Sequence, residues 1–297
     1  MDYIEMFLKY KMKIQKLAEG TLKSYRYNLQ LFFKWVKDTT GEEEFRPELM
    51  TKMLIEDYKQ SLRKEKPRYI SKQLIVIKMF SLWAYDQQLI DHDPAKTIIL
   101  PVIVGTGMRW LNPNERKRLI NYISRDDIGS RLRLIVVLGL SAGLRVEEVT
   151  NIQKEHLHLM ATKGTLQALG KGEKWRTVPL NKNVVEAIRE YWEDYPERKS
   201  GYLFTNLKKG TKLTTRAIQY MMEDLQEELR FDVPITYHRL RHTCFKKMAD
   251  DQEPLDRIAL IAGHIKKNGR PNLSTTVIYT QPNIEDLQKA VERQEWD

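Results

Sequence analysis

The sequence predicts a mainly helical protein of two parts, with one small β-sheet in the second. Three observations carry this. Apolar residues recur at helical spacing through the first hundred positions. A glycine-bearing stretch at 101–108 interrupts them. The period then changes once, in "GTLQALGKGEKWRTVPL", where two short extended runs flank "GKGE" and read as a β-hairpin.

In order, Phe7, Leu8, Met12 and Ile14 mark a first amphipathic helix. "TLKSYRYNLQLFFKWVKD" is a second, with Leu22, Tyr25, Leu29, Phe32, Phe33 and Val36 on one face. "ELMTKMLIEDYKQSLRK" is a third and "SKQLIVIKMFSLWAYDQQ" a fourth, for which Ser71 is an expected N-cap. Residues 1–100 thus read as one helical domain. Residues 101–108, "PVIVGTGM", read as a linker. In the second part, 109–297, Asn112, Pro113 and Glu115 have the spacing of a capping box with proline at the first helical position. "SRLRLIVVLGLSA" is a buried helix ended by Gly143, and "LRVEEVTNI" starts another. After the hairpin, helices are expected at 182–195, 214–229, 236–250, 255–262 and 283–294.

The 297 residues carry a formal charge of +10, with 41% apolar and 30% charged residues. A basic balance favours nucleic acid, anionic membrane or acidic partners without fixing a fold. The longest apolar run, 134–144, is too short to span a bilayer, and the N-terminus lacks the apolar core of a signal peptide. One cysteine, Cys244, excludes an intrachain disulfide framework and fits a reducing cytoplasm.

Six residues could together grip and attack a phosphate. Arg145 opens a helix and Arg241 offers a second guanidinium fork. Lys171 stands between two glycines at the hairpin tip. His238 and His264 can donate hydrogen bonds or move protons, and Tyr279 is a candidate nucleophile. Each has a bland reading: a surface arginine, a solvated turn lysine, a helix-ending histidine, a core tyrosine. "HRLRH" has the histidine spacing of a zinc helix, but Arg239 stands where that motif has glutamate, and its arginines would repel a cation. No P-loop pattern is present.

The order of these segments resembles the tyrosine recombinase (integrase) family. "SAGLRVEEVTNI" resembles its first arginine box, with Arg145 and Glu148. "GKGEKWRTVPL" resembles its lysine hairpin, and "YHRLRHTCF" its H-x-x-R-H box, with His238, Arg241 and His242. "LIAGH" and "STTVIYT" resemble its last two boxes, with His264 and Tyr279. One departure is the ten residues "IKKNGRPNLS", 265–274, where the family keeps a shorter link.

The resemblance implies a helical core-binding domain at 1–100 and a catalytic domain at 109–297. It implies a site-specific recombinase that cleaves and rejoins DNA through a 3′-phosphotyrosine on Tyr279, without metal, ATP or other cofactor. Arg145, Arg241 and His264 would neutralise the phosphate. His238 would accept the tyrosine proton, and Lys171 would protonate the leaving 5′-oxygen. Glu148 and His242 would support them. The fourth helix would enter the major groove, making Arg68, Lys72 and Gln73 DNA contacts, and the insertion adds Lys266, Lys267 and Arg270. Partners would be a duplex with an inverted-repeat core site, a homotetramer across two duplexes joined by the last helix, and an accessory protein or second recombinase. A role in resolving or integrating a mobile element, or resolving replicon dimers, follows. The alternatives are a type IB topoisomerase-like enzyme and a catalytically silent DNA-binding regulator.

Overall fold

The computed structural model describes residues 2–15, 17, 19–103, 110–170, 174–196, 201–266, 268–282, 287–288 and 291–292. The chain divides into two compact units, Met1–Thr106 and Gly107–Asp297.

The first unit is built from α1 (Tyr3–Gln15), α2 (Glu19–Thr40), α3 (Lys52–Ser61) and α4 (Pro67–Asp86). Phe7, Leu29, Phe32, Val36, Ile55, Leu74, Ile77 and Phe80 fill its core. Phe33 and Phe45 stack with ring centres 3.5 Å apart. Met12 and Ile14, expected on the apolar face of α1, are instead exposed, because only its first two turns pack inward. Ser71 does not cap α4. The helix begins one turn earlier, with Lys66 at the N-cap and Pro67 in the first turn, where a missing N–H costs nothing. Lys78 donates to the carbonyls of Ala95 (2.6 Å), Lys96 (3.0 Å) and Ile98 (3.0 Å), tying the segment after α4 back onto it.

The second unit has α5 (Pro113–Ile123), α6 (Ser130–Ser141) and α7 (Val146–Thr150). A three-stranded antiparallel sheet follows, β1 (Leu157–Leu159), β2 (Gly164–Gly170) and β3 (Lys174–Leu180). The chain continues with α8 (Lys182–Asp194), α9 (Thr215–Leu229), α10 (Tyr237–Asp250), α11 (Leu255–Ala262) and α12 (Leu273–Thr276). The sheet order is β1-β2-β3, one strand more than the expected hairpin. Leu166 pairs with Val178 and Ala168 with Arg176, so these four side chains share the inner face. Gln167 and Thr177 pair on the outer face and hydrogen-bond to each other at 3.0 Å.

The buried α6 packs against α8 and α10. The expected capping box at Asn112 and Glu115 is present. α6 ends as expected at Gly143, whose φ of +58° is left-handed and whose missing side chain admits the Phe245 ring. A Cβ there would lie 2.4 Å from that ring.

α10 is polar on two faces. Arg239 is buried against Glu115 of α5 at 2.7 Å and also donates to the carbonyls of Trp110 and Val233. Thr243 accepts from the Leu111 amide at 2.9 Å. This face locks the helix to the first segment of its unit and leaves the opposite face for the site. Replacing Arg239 by Met strands the Glu115 carboxylate in the interior. Breaking a buried pair from one side costs about 3–5 kcal/mol. A urea titration of Arg239→Met should therefore show a lower midpoint at unchanged slope.

Candidate active site

The site forms around the last turn of α11. Its carbonyls would end unpaired inside the protein. Three arginines from three different elements take them. Arg176 of β3 donates to Ile261 O at 3.1 Å, Arg241 of α10 to Ala262 O at 2.5 Å, and Arg145 to Gly263 O at 3.4 Å. Gly263 has φ +66°, and a Cβ there would press on Arg176 and Arg145 at 3.1–3.3 Å.

Glu148 is the counter-ion. Its side chain is 1% exposed, and it accepts from Arg145 Nη1 (2.9 Å), the Arg145 amide (2.7 Å) and both terminal nitrogens of Arg176. Burial alone would raise its pKa. The bonds and charge of Arg176, then those of Arg145, outweigh that and hold the carboxyl below its usual range. Arg241 is fully enclosed, its other bond running to Gly143 O and its guanidinium lying 4.8 Å over the Phe245 ring. Burial and the neighbouring Arg145 bring it down to about 10.

Tyr279 sits in a single 3₁₀ turn, Val277–Thr280, and is 1% exposed. Its hydroxyl shares a 3.0 Å hydrogen bond with Nδ1 of His242. Its ring lies parallel to that of His264, with centres 6.2 Å apart. His238, expected as the proton acceptor of the tyrosine, is exposed and stands edge-on to His242 at 4.2 Å. The residue one turn further along α10, His242, is the one that meets the Tyr279 hydroxyl.

Nδ1 of His264 meets the Thr276 hydroxyl at 3.1 Å. That hydroxyl has one proton and gives it to the Asn272 carbonyl at 3.0 Å. Nδ1 is therefore the donor, and the neutral ring presents Nε2 as an acceptor. Burial, then Arg241, Arg145, Arg176 and His238, lower His264 to about 4.

The insertion does not lengthen the path to Tyr279. Ile265 bridges Pro271, Lys266 N donates to Arg270 O at 2.8 Å, and Asn272 N donates to His264 O at 2.6 Å. The chain leaves and rejoins at one point. Lys266 and Arg270 are exposed on this loop, and Lys267 lies outside the described residues. Lys171 also lies outside them.

In the first unit, Arg68 and Lys72 are exposed on α4. Gln73 is not available to DNA. It is buried, donates to Asn28 (3.0 Å) and Tyr69 (3.1 Å), and accepts from Tyr58 (3.4 Å). It shares the inward face with Ile70, Leu74 and Ile77, which sets its direction. Among the described residues, no group of three His, Cys, Asp or Glu is placed to hold a metal ion. Cys244 is buried, which pushes its thiol up to about 12. Arg176 is the site residue that reading the motifs one by one had missed.

Residues 109–286 match the Phage integrase family. The chain belongs to that family. Tyrosine recombinase XerA of Thermococcus kodakarensis is 28% identical over 98% of this chain and 95% of its own length. Tyrosine recombinase XerD of Listeria innocua is 25% identical over 94% of this chain and 93% of its own. The fold matches that of XerH site-specific recombinase bound to palindromic difH substrate. The TM-score is 0.75 at 19% identity, over 97% of this chain and 84% of that one. It also matches the Tn1549 transposon integrase in complex with circular intermediate DNA, with a TM-score of 0.74 at 15% identity, over 98% and 99% of the two chains. The protein is a site-specific tyrosine recombinase. No helix among its described residues is long and apolar enough to cross a membrane.

The two shifted acid–base groups predict the acid stability of this enzyme. His264 titrates at about 4 in the fold, against 6.5 for the free side chain. Between those values the unfolded chain binds more protons, so stability falls as pH drops from 6.5 to 4. Glu148, with its folded pKa depressed, adds a further loss below its usual range of about 4.3. The melting temperature of His264→Asn should decline less steeply than wild type between pH 6.5 and 4.

Proposed function

We propose that this recombinase cleaves DNA by attack of Tyr279 on a backbone phosphate, forming a 3′-phosphotyrosine and freeing a 5′-hydroxyl. The supporting observation is the convergence of four separated segments on one place in the fold. Tyr279 and His264 lie with Arg145 and Arg241 around the last turn of α11.

A tyrosine hydroxyl has an unperturbed pKa of about 10 and needs a base to become a nucleophile. His242 holds that hydroxyl at rest, at 3.0 Å. His238, exposed at the rim beside it, takes the proton as the phosphate enters. The pentavalent transition state carries charge on its non-bridging oxygens. Arg145, the more open of the two arginines with 30% side-chain exposure, turns onto them first. Arg241 backs it from beneath. His264 starts neutral, and the incoming anion raises its proton affinity so that Nε2 becomes a donor. Lys171 delivers a proton to the leaving 5′-oxygen, a task that suits a mobile ammonium.

Residues 1–100 act as the core-binding domain, joined by the 101–108 linker to a catalytic domain at 109–297. The exposed Arg68 and Lys72 on α4 and Lys266 and Arg270 on the insertion contact the phosphates of an inverted-repeat duplex, with Lys267 between the last two in sequence. Leu287 and Val291 are 48% and 71% exposed. The rest of the helix expected at 283–294 lies outside the described residues. Two apolar side chains four residues apart and open to solvent suit docking of this segment on a neighbouring copy, as a tetramer across two duplexes requires. The work of such a complex is resolution or integration of a mobile element or replicon dimer, in the cytoplasm, with an accessory protein or second recombinase.

The test is covalent trapping. Wild-type protein is incubated with labelled DNA from the region flanking its own gene, in EDTA, and denatured in SDS. A radiolabelled adduct mapping to Tyr279 is expected, and Tyr279→Phe should bind but form none. An adduct on another tyrosine, or an adduct that needs a divalent metal, defeats the reading. Removing one donor to a developing charge costs about 2.7–4 kcal/mol, so Arg145→Ala should slow cleavage by about 10²–10³-fold.

For DNA contacts, Arg68→Ala or Arg270→Ala removes one phosphate interaction and should lower the slope of log K against log salt by about 1. Gln73→Ala should leave that slope unchanged. A salt titration by fluorescence anisotropy measures all three.

A further inference from the structure

We propose that Arg176 is a positioning residue of the cleavage reaction, a fixed partner for Glu148 that leaves Arg145 able to turn onto the phosphate. The inference rests on the reading of Arg145 as a phosphate ligand.

Arg176 itself faces the wrong way to bind DNA. On β3 it lies on the inner face opposite Ala168, whose small side chain leaves room for the guanidinium. Its side chain is 9% exposed, against 30% for Arg145. Every hydrogen bond it makes runs inward: both terminal nitrogens to Glu148, and Nε to Ile261 O at 3.1 Å. Its stem passes beneath Gly263, where an added Cβ would lie 3.1 Å from both Cδ and Nε. One side chain thus ties β3, α7 and the end of α11 together, and the residue after Gly263 is His264.

Glu148 shares its two oxygens between two arginines. Oε1 accepts from Nη1 of both Arg145 and Arg176, and Oε2 accepts from the Arg145 amide and Nη2 of Arg176. Arg145 is the loosely held member. Only one of its terminal nitrogens reaches Glu148, and the other has a long 3.4 Å bond to Gly263 O. If Arg176 is removed, a buried carboxylate is left with Arg145 as its single guanidinium partner. Arg145 then becomes the ion that cannot leave, because departure would strand a charge in the interior. Cleavage suffers although no group that touches DNA has changed.

This differs from a packing role in one measurable way. If Arg176 acts by sharing the charge of Glu148, removing that charge should offset its loss. Arg176→Gln, Arg176→Lys, Glu148→Gln and the double variant Arg176→Gln/Glu148→Gln are compared with wild type. The probe is an end-labelled, nicked duplex selected from random-sequence DNA for binding to the wild-type protein. The readouts are affinity and single-turnover formation of the Tyr279 adduct.

Arg176→Gln should bind within about twofold of wild type and cleave about 10–100-fold more slowly, as expected when a side chain that orients a reactive group is lost. Arg176→Lys should recover part of the rate, since it keeps the charge without the fork. The double variant should cleave faster than Arg176→Gln alone. A double variant no faster than Arg176→Gln, or Arg176→Gln cleaving at the wild-type rate, overturns the proposal. Absence of a Tyr279 adduct with wild-type protein overturns the site reading instead, so the two failures are told apart.

Discussion

The site depends on how one helix ends. The carboxyl end of α11 carries the negative pole of its dipole and carbonyls that the helix cannot pair. Those of residues 261, 262 and 263 each accept from a different arginine. Three guanidiniums brought this close repel one another, and Glu148 supplies one compensating charge among them. The cluster is held, with cation in excess. In the proposed function a phosphate is the group that such an excess lacks, and its arrival would satisfy donors that the helix carbonyls hold at rest. Arg241, pinned to both Gly143 and Ala262, is preorganised at the cost of being enclosed. Arg145 is looser and more open. The proposed reaction would give the two different tasks for that reason: one fixes the field of the site and the other meets the ligand.

The proposed nucleophile is stored rather than presented. Tyr279 is covered, with its hydroxyl on His242 and its ring between Phe245 and His264. Attack as proposed would require the 3₁₀ turn to carry it toward the rim. The slack for that motion does not come from the insertion, which is closed at its base by the Ile265–Pro271 bridge and the Asn272–His264 hydrogen bond. Thr276 is tied to both Asn272 and His264. On the proposed reaction it would mark the fixed end, and movement would fall to the residues beyond it. A conformational step of this kind can set the overall rate of an enzyme without any change in its chemistry.

The architecture was legible because its helices have long apolar stripes and its caps use standard chemistry, as at Asn112 and Glu115. β1 was not, because three residues carry too little alternation to register. The motifs located Arg145, Glu148, Arg241, His242, His264 and Tyr279, which the fold then brings together. They could not say which histidine holds the tyrosine, since His238 and His242 are one turn apart on the same helix and only the position of the 3₁₀ turn separates them. Two positions were readable by periodicity and were overlooked. Gln73 stands among Ile70, Leu74 and Ile77 on the apolar face of α4, so a helical projection turns it inward. Arg176 alternates in phase with Val178 and Leu180, both buried, so β3 had to aim a guanidinium into the interior. A polar residue in phase with an apolar stripe is a request for a partner elsewhere in the chain.

The same logic explains the composition of α10. Its two buried arginines are unusual for a core helix, yet each has partners on a different element. Arg239 meets Glu115 and two carbonyls on one side, and Arg241 meets two carbonyls on the other. Hydrophobic contacts alone would allow such a helix to rotate or slide by small amounts at little cost. Directional bonds on two opposing faces do not, because either motion leaves a buried donor unpaired. The rotation of α10 is thereby fixed from α5, well away from the reacting atoms, and with it the placement of His238, Arg241 and His242 relative to the end of α11. The precision of this arrangement is a consequence of the polar anchor behind the helix as much as of the residues that face the end of α11.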